Sequence, residues 1–247
     1  MQKKFSPVAA QSSDLSNCYS NNMDMSSIKR FGYTIVRFGE KFDANSALTL
    51  SGDRDLEWSW VIAQAPLGTK RTLDFGPGNS TTPIALSFIS EEVVCLDLNK
   101  PEINYGVNNI NHVLGDVTSP PAGLGKFDLI VNCSSIEHVG LSGRYGSTEV
   151  ADGDFIGMQN LLGLMNDSAK MLMTIPVGKD GVYLPNHRVY GDIRLPQLLS
   201  GYKVDTERFF EKTESKRFWA ETSKEIALTT QSSASFYSIG LFILSKK

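Results

Sequence analysis

The residues in this chain best suited to chemistry are acids and glycines at the ends of apolar runs. Thr72-Leu73-Asp74-Phe75-Gly76-Pro77-Gly78-Asn79-Ser80 reads as a buried strand, a tight turn and the approach to a helix. Thr82 suits a helix cap, and Pro83 a first helical position, where a missing N–H costs nothing. Gly76 and Gly78 let a ligand come close to backbone amides, so the strand–turn–helix reads as a nucleotide site. Asp97 ends the next apolar run, Val93-Val94-Cys95-Leu96, where βαβ nucleotide folds hold the ribose hydroxyls. A dinucleotide fingerprint would place a third glycine at position 81; Thr81 stands there, which argues against NAD.

A second group follows another strand. Lys126-Phe127-Asp128-Leu129-Ile130-Val131-Asn132 is an apolar run bounded by turns, as a central parallel strand requires. Ligands of open α/β sheets bind beyond the carboxyl ends of the strands, so Asn132 to His138 are expected where chemistry occurs. The chain has three histidines. His112 precedes its strand, at the wrong end. His138 and His187 follow strands at the correct edge, and histidine titrates near neutral pH.

Asp74-x-Gly76-x-Gly78 resembles the first motif of class I S-adenosylmethionine (SAM) methyltransferases, with Ser80 where that motif often has another glycine. Phe127-Asp128-Leu129-Ile130 leading to Ile136-Glu137-His138 resembles their fourth-strand motif. The strings Glu137-His138-Val139-Gly140, Gly143-Arg144-Tyr145-Gly146, Asp152-Gly153-Asp154, Ile175-Pro176-Val177-Gly178-Lys179-Asp180 and His187-Arg188-Val189-Tyr190-Gly191 resemble a narrower group. Its members are small, poorly characterised methyltransferase-like proteins, some near sugar and polysaccharide functions.

The resemblance implies SAM as cofactor and gives the residues roles. Asp74 would favour the ammonium end of the cofactor, with Gly76 and Gly78 approaching its methionine part. Asp97 and its neighbour Leu98 would take the ribose, Asp116 with Val117 would border the adenine, and Asn132 would offer backbone groups. Methyl transfer is an in-line displacement that needs an aligned nucleophile and, for a hydroxyl, a base. His187 leads as that base because it lies in the substrate-side loop; His138 is second. Arg144, Tyr145 and Arg188 could clamp an anionic or sugar-like acceptor, a small molecule or a saccharide. Asp152, Asp154, Glu137, His138 and His187 have the ligand types for a divalent metal, but no metal is expected. A non-catalytic SAM- or nucleotide-binding module on the same fold is the alternative, motivated by the altered turn at Ser80.

The elements that must position these residues follow from the rest of the chain. With 247 residues, 41% of them hydrophobic and 21% charged, there is material for one sizeable α/β domain. A net charge of −3 with no basic stripe argues against nucleic acid as partner. Cys18, Cys95 and Cys133 are far apart, and neither a disulfide framework, a signal peptide nor a membrane-length apolar run is evident. A cytoplasmic protein is expected.

Residues 1–27, rich in Ser, Asn and Gln, are expected to form a flexible arm. Residues 28–247 are expected to form a single domain: a cap over 28–66, with a helix over Asp53–Gln64, and a Rossmann-like core over 70–247. Strands are expected at Arg71–Phe75, Val93–Leu98, Val113–Leu114, 127–132, Met171–Val177, Tyr202–Glu211 and Phe236–Leu244. Helices are expected between the first five, with the one after Asn99 stunted by Pro101, Gly106 and several Asn. This is a doubly wound, mostly parallel seven-stranded sheet; the resemblance implies that its last strand is antiparallel.

Overall fold

A computed structural model describes residues 53–143, 145–146, 148–212 and 219–247. The expected arm, most of the expected cap, and Arg144 lie outside the described residues.

Helix α1 (Asp53–Gln64) comes first. Leu56, Trp60 and Val61 recur on one side of it and are buried, as an amphipathic helix packed on a sheet requires. Strand β1 (Thr69–Phe75), helix α2 (Thr82–Ser87), β2 (Ser90–Asp97), β3 (Ile110–Leu114) and β4 (Phe127–Cys133) follow. A 3-10 turn (Ile136–His138) leads to α3 (Gly153–Leu164) and β5 (Met165–Val177). A hairpin of β6 (Gly181–Tyr183) and β7 (His187–Val189) precedes α4 (Arg194–Leu198), β8 (Tyr202–Lys212), β9 (Trp219–Thr222), α5 (Lys224–Thr229) and β10 (Ser238–Lys246).

The main sheet has the order β3-β2-β1-β4-β5-β10-β8-β9. Pairs from β3 through β5 are parallel, and β10 runs antiparallel between β5 and β8. The doubly wound, mostly parallel architecture and the antiparallel final strand are therefore present. An eighth strand extends the expected seven: β9 pairs antiparallel with β8, Phe209 opposite Thr222.

Both faces of the central strands are buried, which explains their continuous apolar runs. Leu73, Val94, Leu96 and Ile130 pack with Met158 and Leu161 of α3 on one face. Val93, Cys95, Leu129 and Val131 pack with Trp60 and Val61 of α1 and Leu86 of α2 on the other. Each fully buried large apolar side chain is worth about 1.5–3 kcal/mol relative to exposure, so losing α1 would uncover much of the second face.

Three local expectations are corrected. Thr82 is the first helical residue rather than the cap; Thr81 holds the cap position, and Ser80 Oγ accepts the Thr82 amide at 3.3 Å. No helix forms between β2 and β3, where a stunted one was expected. Side chains fix that loop instead: Tyr105 donates to the Ser80 carbonyl at 2.7 Å, and Asn109 to the carbonyls of Ser87 and Ser90 at 2.9 Å. Residues 115–126, between β3 and β4, are also helix-free; Pro120-Pro121 and Gly123 break any helical run there.

Asp97 pairs in register with Leu114, and Phe75 with Asn132. β1, β2, β3 and β4 therefore end at one edge. The chain leaves β1 for β2 and β3 on one side and enters β4 and β5 on the other, so the crevice between β1 and β4 is the topological switch point.

Candidate active site

A cavity of about 640 Å³ opens at that crevice, within the range of small-molecule sites. The turn after β1 forms one wall. Gly76 and Gly78 have φ of 64° and 54°, the left-handed region that glycine enters without strain. A Cβ on Gly76 would lie 2.7 Å from Ser135 Oγ, so glycine is also demanded by close packing. Ser135 Oγ donates to the Gly76 carbonyl at 3.0 Å and ties the turn after β1 to the turn after β4.

Asp74 lies beneath the turn, buried, with its Oδ2 lacking any hydrogen-bond partner. Burial, reinforced by nearby Asp97, pushes its carboxyl up to about 8. An orphaned, buried acceptor on the wall of a cavity is costly unless a donor comes to it. Across the turn, Asp97 Oδ2 accepts the Gly78 amide at 3.0 Å and Oδ1 the Asn99 amide at 2.9 Å. Each oxygen keeps a second lone pair for a ligand. Leu98, Asp116 and Val117 line the cavity beyond it, and Asp116 Oδ1 holds its turn by accepting the Thr118 amide at 2.8 Å.

Asp74, Gly76, Gly78, Asp97, Leu98, Asp116 and Val117, expected from the sequence to meet one ligand, thus share one cavity. Asn132 does not line it. Its side chain is buried, with Oδ1 accepting the Ile136 amide at 3.2 Å and Nδ2 facing Met158 Sδ at 3.7 Å; neighbouring Cys133 lines the cavity instead.

The two histidines separate. His138 lines the cavity, with its ring edge-on to Tyr145 at 5.1 Å. Its Nδ1 lies 2.5 Å from the Asn186 carbonyl, which only accepts, so Nδ1 carries the proton. Its Nε2 lies 3.6 Å from Glu137 Oε1. His187 sits behind His138, buried among Tyr183, Tyr237 and the His138 ring, and does not line the cavity. Of the two, His138 is the histidine at the cavity wall.

Of the expected acceptor clamp, Tyr145 lines the cavity. Arg188 does not; it is buried, donates to the Val139 carbonyl at 2.6 Å and lies 3.6 Å from Asp154. Asp154 is itself consumed by Arg194, at 2.8 and 2.9 Å, and by the Tyr190 hydroxyl at 3.1 Å. Asp152 is also held by Arg194, at 3.1 Å. Among the described residues, no three His, Cys, Asp or Glu side chains gather as metal ligands.

The sequence reading missed the part that α1 plays. Arg54 and Trp58 line the cavity, and Glu57 lies fully buried behind them. Glu57 Oε1 accepts hydrogen bonds from Ser134 Oγ and, at 2.6 Å, from Thr174 Oγ1; Arg54 donates to Oε2 at 3.3 Å. Burial raises the Glu57 carboxyl, and Arg54 with the two hydroxyls pulls it back. Glu137 nearby is pushed up to about 8, chiefly by burial. A signal for Glu57 was present: it stands three residues before Trp60 and four before Val61, inside the apolar stripe of α1.

A family model described as "Caenorhabditis protein of unknown function, DUF268" matches residues 111–239. No curated protein matches the chain in sequence. Similar solved structures include the N-methyltransferase NodS of Bradyrhizobium japonicum in complex with S-adenosylhomocysteine, at TM-score 0.55 and 10% identity over 85% of this chain and 97% of that one. The 1,6-didemethyltoxoflavin-N1-methyltransferase of Burkholderia thailandensis is similar at TM-score 0.51 and 11% identity, over 99% of this chain and 93% of that one. The [4+2]-cyclase SpnF is similar at TM-score 0.53 and 13% identity, over 76% of this chain and 79% of that one. The fold is that of class I, Rossmann-like methyltransferases. The presence of a cyclase among these structures illustrates that the chemistry has to be argued from the site.

Proposed function

The chain belongs to the DUF268 family, and we propose that it is a SAM-dependent methyltransferase acting on a small molecule, at a hydroxyl, with saccharides among the candidate acceptors. One observation carries the cofactor reading: the partnerless Oδ2 of buried Asp74 on the wall of a cavity that Asp97 also lines. An ammonium group satisfies that oxygen and holds the carboxyl ionised. The two free lone-pair positions of Asp97 suit vicinal ribose hydroxyls. Val117 and Asp116 border the place for the adenine, and Gly76 and Gly78 leave the backbone bare where the methionine part would pass.

When bound, the cofactor supplies a methyl group made electrophilic by a sulfonium. The chain's residues bind, orient and exclude water around it. Ser135 fixes the turn that Gly76 belongs to, and Asn99 and Gly78 amides fix the Asp97 carboxylate. His138, held by Asn186, and Tyr145 line the same cavity. No helix among the described residues is long and apolar enough to cross a membrane. We place the protein in the cytoplasm, a reducing compartment suited to its free thiols Cys95 and Cys133.

The test is calorimetric titration of S-adenosylhomocysteine into the wild type and Asp97→Ala. The wild type should bind, and the substitution should weaken binding about tenfold or more, the loss expected for hydrogen bonds to a charged acceptor. A wild type that does not bind refutes the reading. Binding with no methyl transfer to any acceptor leaves the non-catalytic module.

A further inference from the structure

The wall where α1 meets the end of β4 carries a polar arrangement that holding the cofactor leaves unused. Ser134 lines the cavity, and its hydroxyl donates to Glu57 Oε1. Glu57 is fully buried, and its hydrogen-bond partners Ser134, Thr174 and Arg54 all act as donors to it. Its carboxyl is therefore held as an acceptor. With its own proton committed to Glu57, Ser134 faces the cavity with lone pairs only. A group that docks there has to bring its own O–H.

Ser134 holds this place at a backbone cost. Its φ of 47° is unusual for a residue with a side chain, and such strain concentrates at functional sites. Trp58 and Arg54, one turn of α1 apart, line the same cavity beside it. The histidines do not compete for this role: His138 turns Nδ1 to Asn186 and Nε2 towards Glu137, and His187 lies behind it.

We propose that Ser134, backed by Glu57, is the acceptor subsite, which takes the hydroxyl of an uncharged acceptor and passes its proton to Glu57. The proposal rests on the methyltransferase reading above. In the step it describes, the acceptor oxygen forms a bond to the methyl carbon as the carbon–sulfur bond breaks. The electron pair of that bond stays on sulfur and discharges the sulfonium. The acceptor proton moves to Ser134 Oγ while the Ser134 proton moves to Glu57 Oε1. One sulfonium and one carboxylate are consumed, and a thioether, a methyl ether and a carboxylic acid result.

The charges around Glu57 set the acceptor's class. Asp53 and Arg54 on α1, Cys133 at the end of β4, Glu137 on the 3-10 turn and Tyr237 before β10 all act electrostatically in this cluster. Burial pushes up Glu137, the Cys133 thiol and the Tyr237 phenol and leaves them largely neutral, so the Asp53 and Glu57 carboxylates stand against the one guanidinium, which is already spent on Glu57; an anionic acceptor finds no free cation here, and a neutral hydroxyl needs none. Burial lifts the Glu57 carboxyl, and Arg54 and the two hydroxyls restrain it. Glu57 acts through Ser134 and is the positioning residue of the pair.

The test uses the full chain saturated with S-adenosylhomocysteine, and phenol, anisole and benzoate as probes. Phenol differs from anisole by the O–H that Ser134 requires. Phenol should bind about five- to tenfold more tightly than anisole, the worth of one hydrogen bond, and benzoate more weakly than either. Ser134→Gly should abolish the difference between phenol and anisole; glycine favours φ of 47°, so this variant keeps the fold, which its melting temperature checks. With labelled SAM, transfer to phenol at pH 7 should fall about 100-fold or more in Ser134→Gly and Glu57→Gln, with KM for SAM unchanged. It should recover as the pH approaches the ionisation of phenol itself, at about 10; a merely structural loss would not recover. Equal binding of phenol and anisole, no transfer to phenol, or transfer unaffected by Ser134→Gly overturns the proposal while leaving the cofactor reading standing. Failure of S-adenosylhomocysteine to bind the wild type marks instead the failure of the reading beneath it.

Discussion

Asp74 makes cofactor binding depend on pH in a direction and size that can be worked out in advance. Burial and Asp97 push its carboxyl up to about 8. At pH 6 about one carboxyl in a hundred is then ionised, and at pH 7.5 about one in four. An ammonium ligand takes the ionised form, and apparent affinity scales with the competent fraction. Binding of S-adenosylhomocysteine should therefore tighten about 25-fold from pH 6 to 7.5, a window below the ionisation of the ligand's own ammonium, which is that of a free amino acid and not of a chain terminus. Calorimetry at pH 7 in buffers of different ionisation enthalpy should show release of about 0.9 proton per ligand. Asp74→Asn should bind weakly and without the slope. The same variant tests the linkage to folding. A carboxyl whose folded pKa is raised takes up a proton on folding, so its contribution is fully present below the unfolded value and is lost as pH rises through about 8. At about 1.4 kcal/mol per unit, Asp74→Asn should be more stable than the wild type at pH 8 by a few kcal/mol, with no such gain at pH 4. A flat affinity between pH 6 and 7.5, or proton release near zero, would sink the assignment of Asp74 as the ammonium partner.

Two further substitutions separate packing from binding. Gly76→Ala carries the left-handed penalty of about 1–2 kcal/mol and also drives a Cβ to 2.7 Å from Ser135 Oγ, whereas Gly78→Ala meets nothing within 4 Å. Gly76→Ala should therefore unfold at lower urea than Gly78→Ala; equal midpoints would refute the close packing. Asp154→Ala leaves the buried Arg188 and the Tyr190 hydroxyl without their shared partner and should cost about 3–5 kcal/mol in urea unfolding. Affinity for S-adenosylhomocysteine should be kept, since Asp154 is outside the cavity; a loss under about 1 kcal/mol would show that the cluster is not structural.

The central sheet was legible because burial on both faces leaves a mark that needs no context. Val93 to Leu96 and Leu129 to Val131 are apolar in sequence because one strand serves two cores. Glycines with positive φ at 76 and 78 and the acid at 97 were legible for a similar reason: the turn geometry admits few other residues. β9 was not, since Trp219-Ala220-Glu221-Thr222 is a short edge strand with one face to solvent, and its partner β8 alone defines it. Nor was the absence of helices around β3, because loops closed by side chains, such as Tyr105 on Ser80, have no periodicity.

Which side chains gather around His138 and Glu57 was the least legible part, and its physics explains why. Order along the chain puts both His138 and His187 at strand ends, but only long-range packing decides which ring faces the cavity. Tyr237, from the far end of the chain, closes around His187 and removes it. Glu57 shows the same dependence in reverse. Its partners Ser134 and Thr174 lie 77 and 117 residues away, one just past the end of β4 and the other on β5. A carboxylate among Arg54, Asp55 and Trp58 reads as part of a solvated helix face until the sheet is laid beneath it. Its place in the Trp60–Val61 stripe contradicts that reading, because an acid on a core-facing stripe must either find donors or lose its charge. Glu57 finds three donors, and one of them, Ser134, opens onto the cavity. A charge that breaks the pattern of a helix is thus a sharper pointer to the site than a histidine that fits the pattern of a loop.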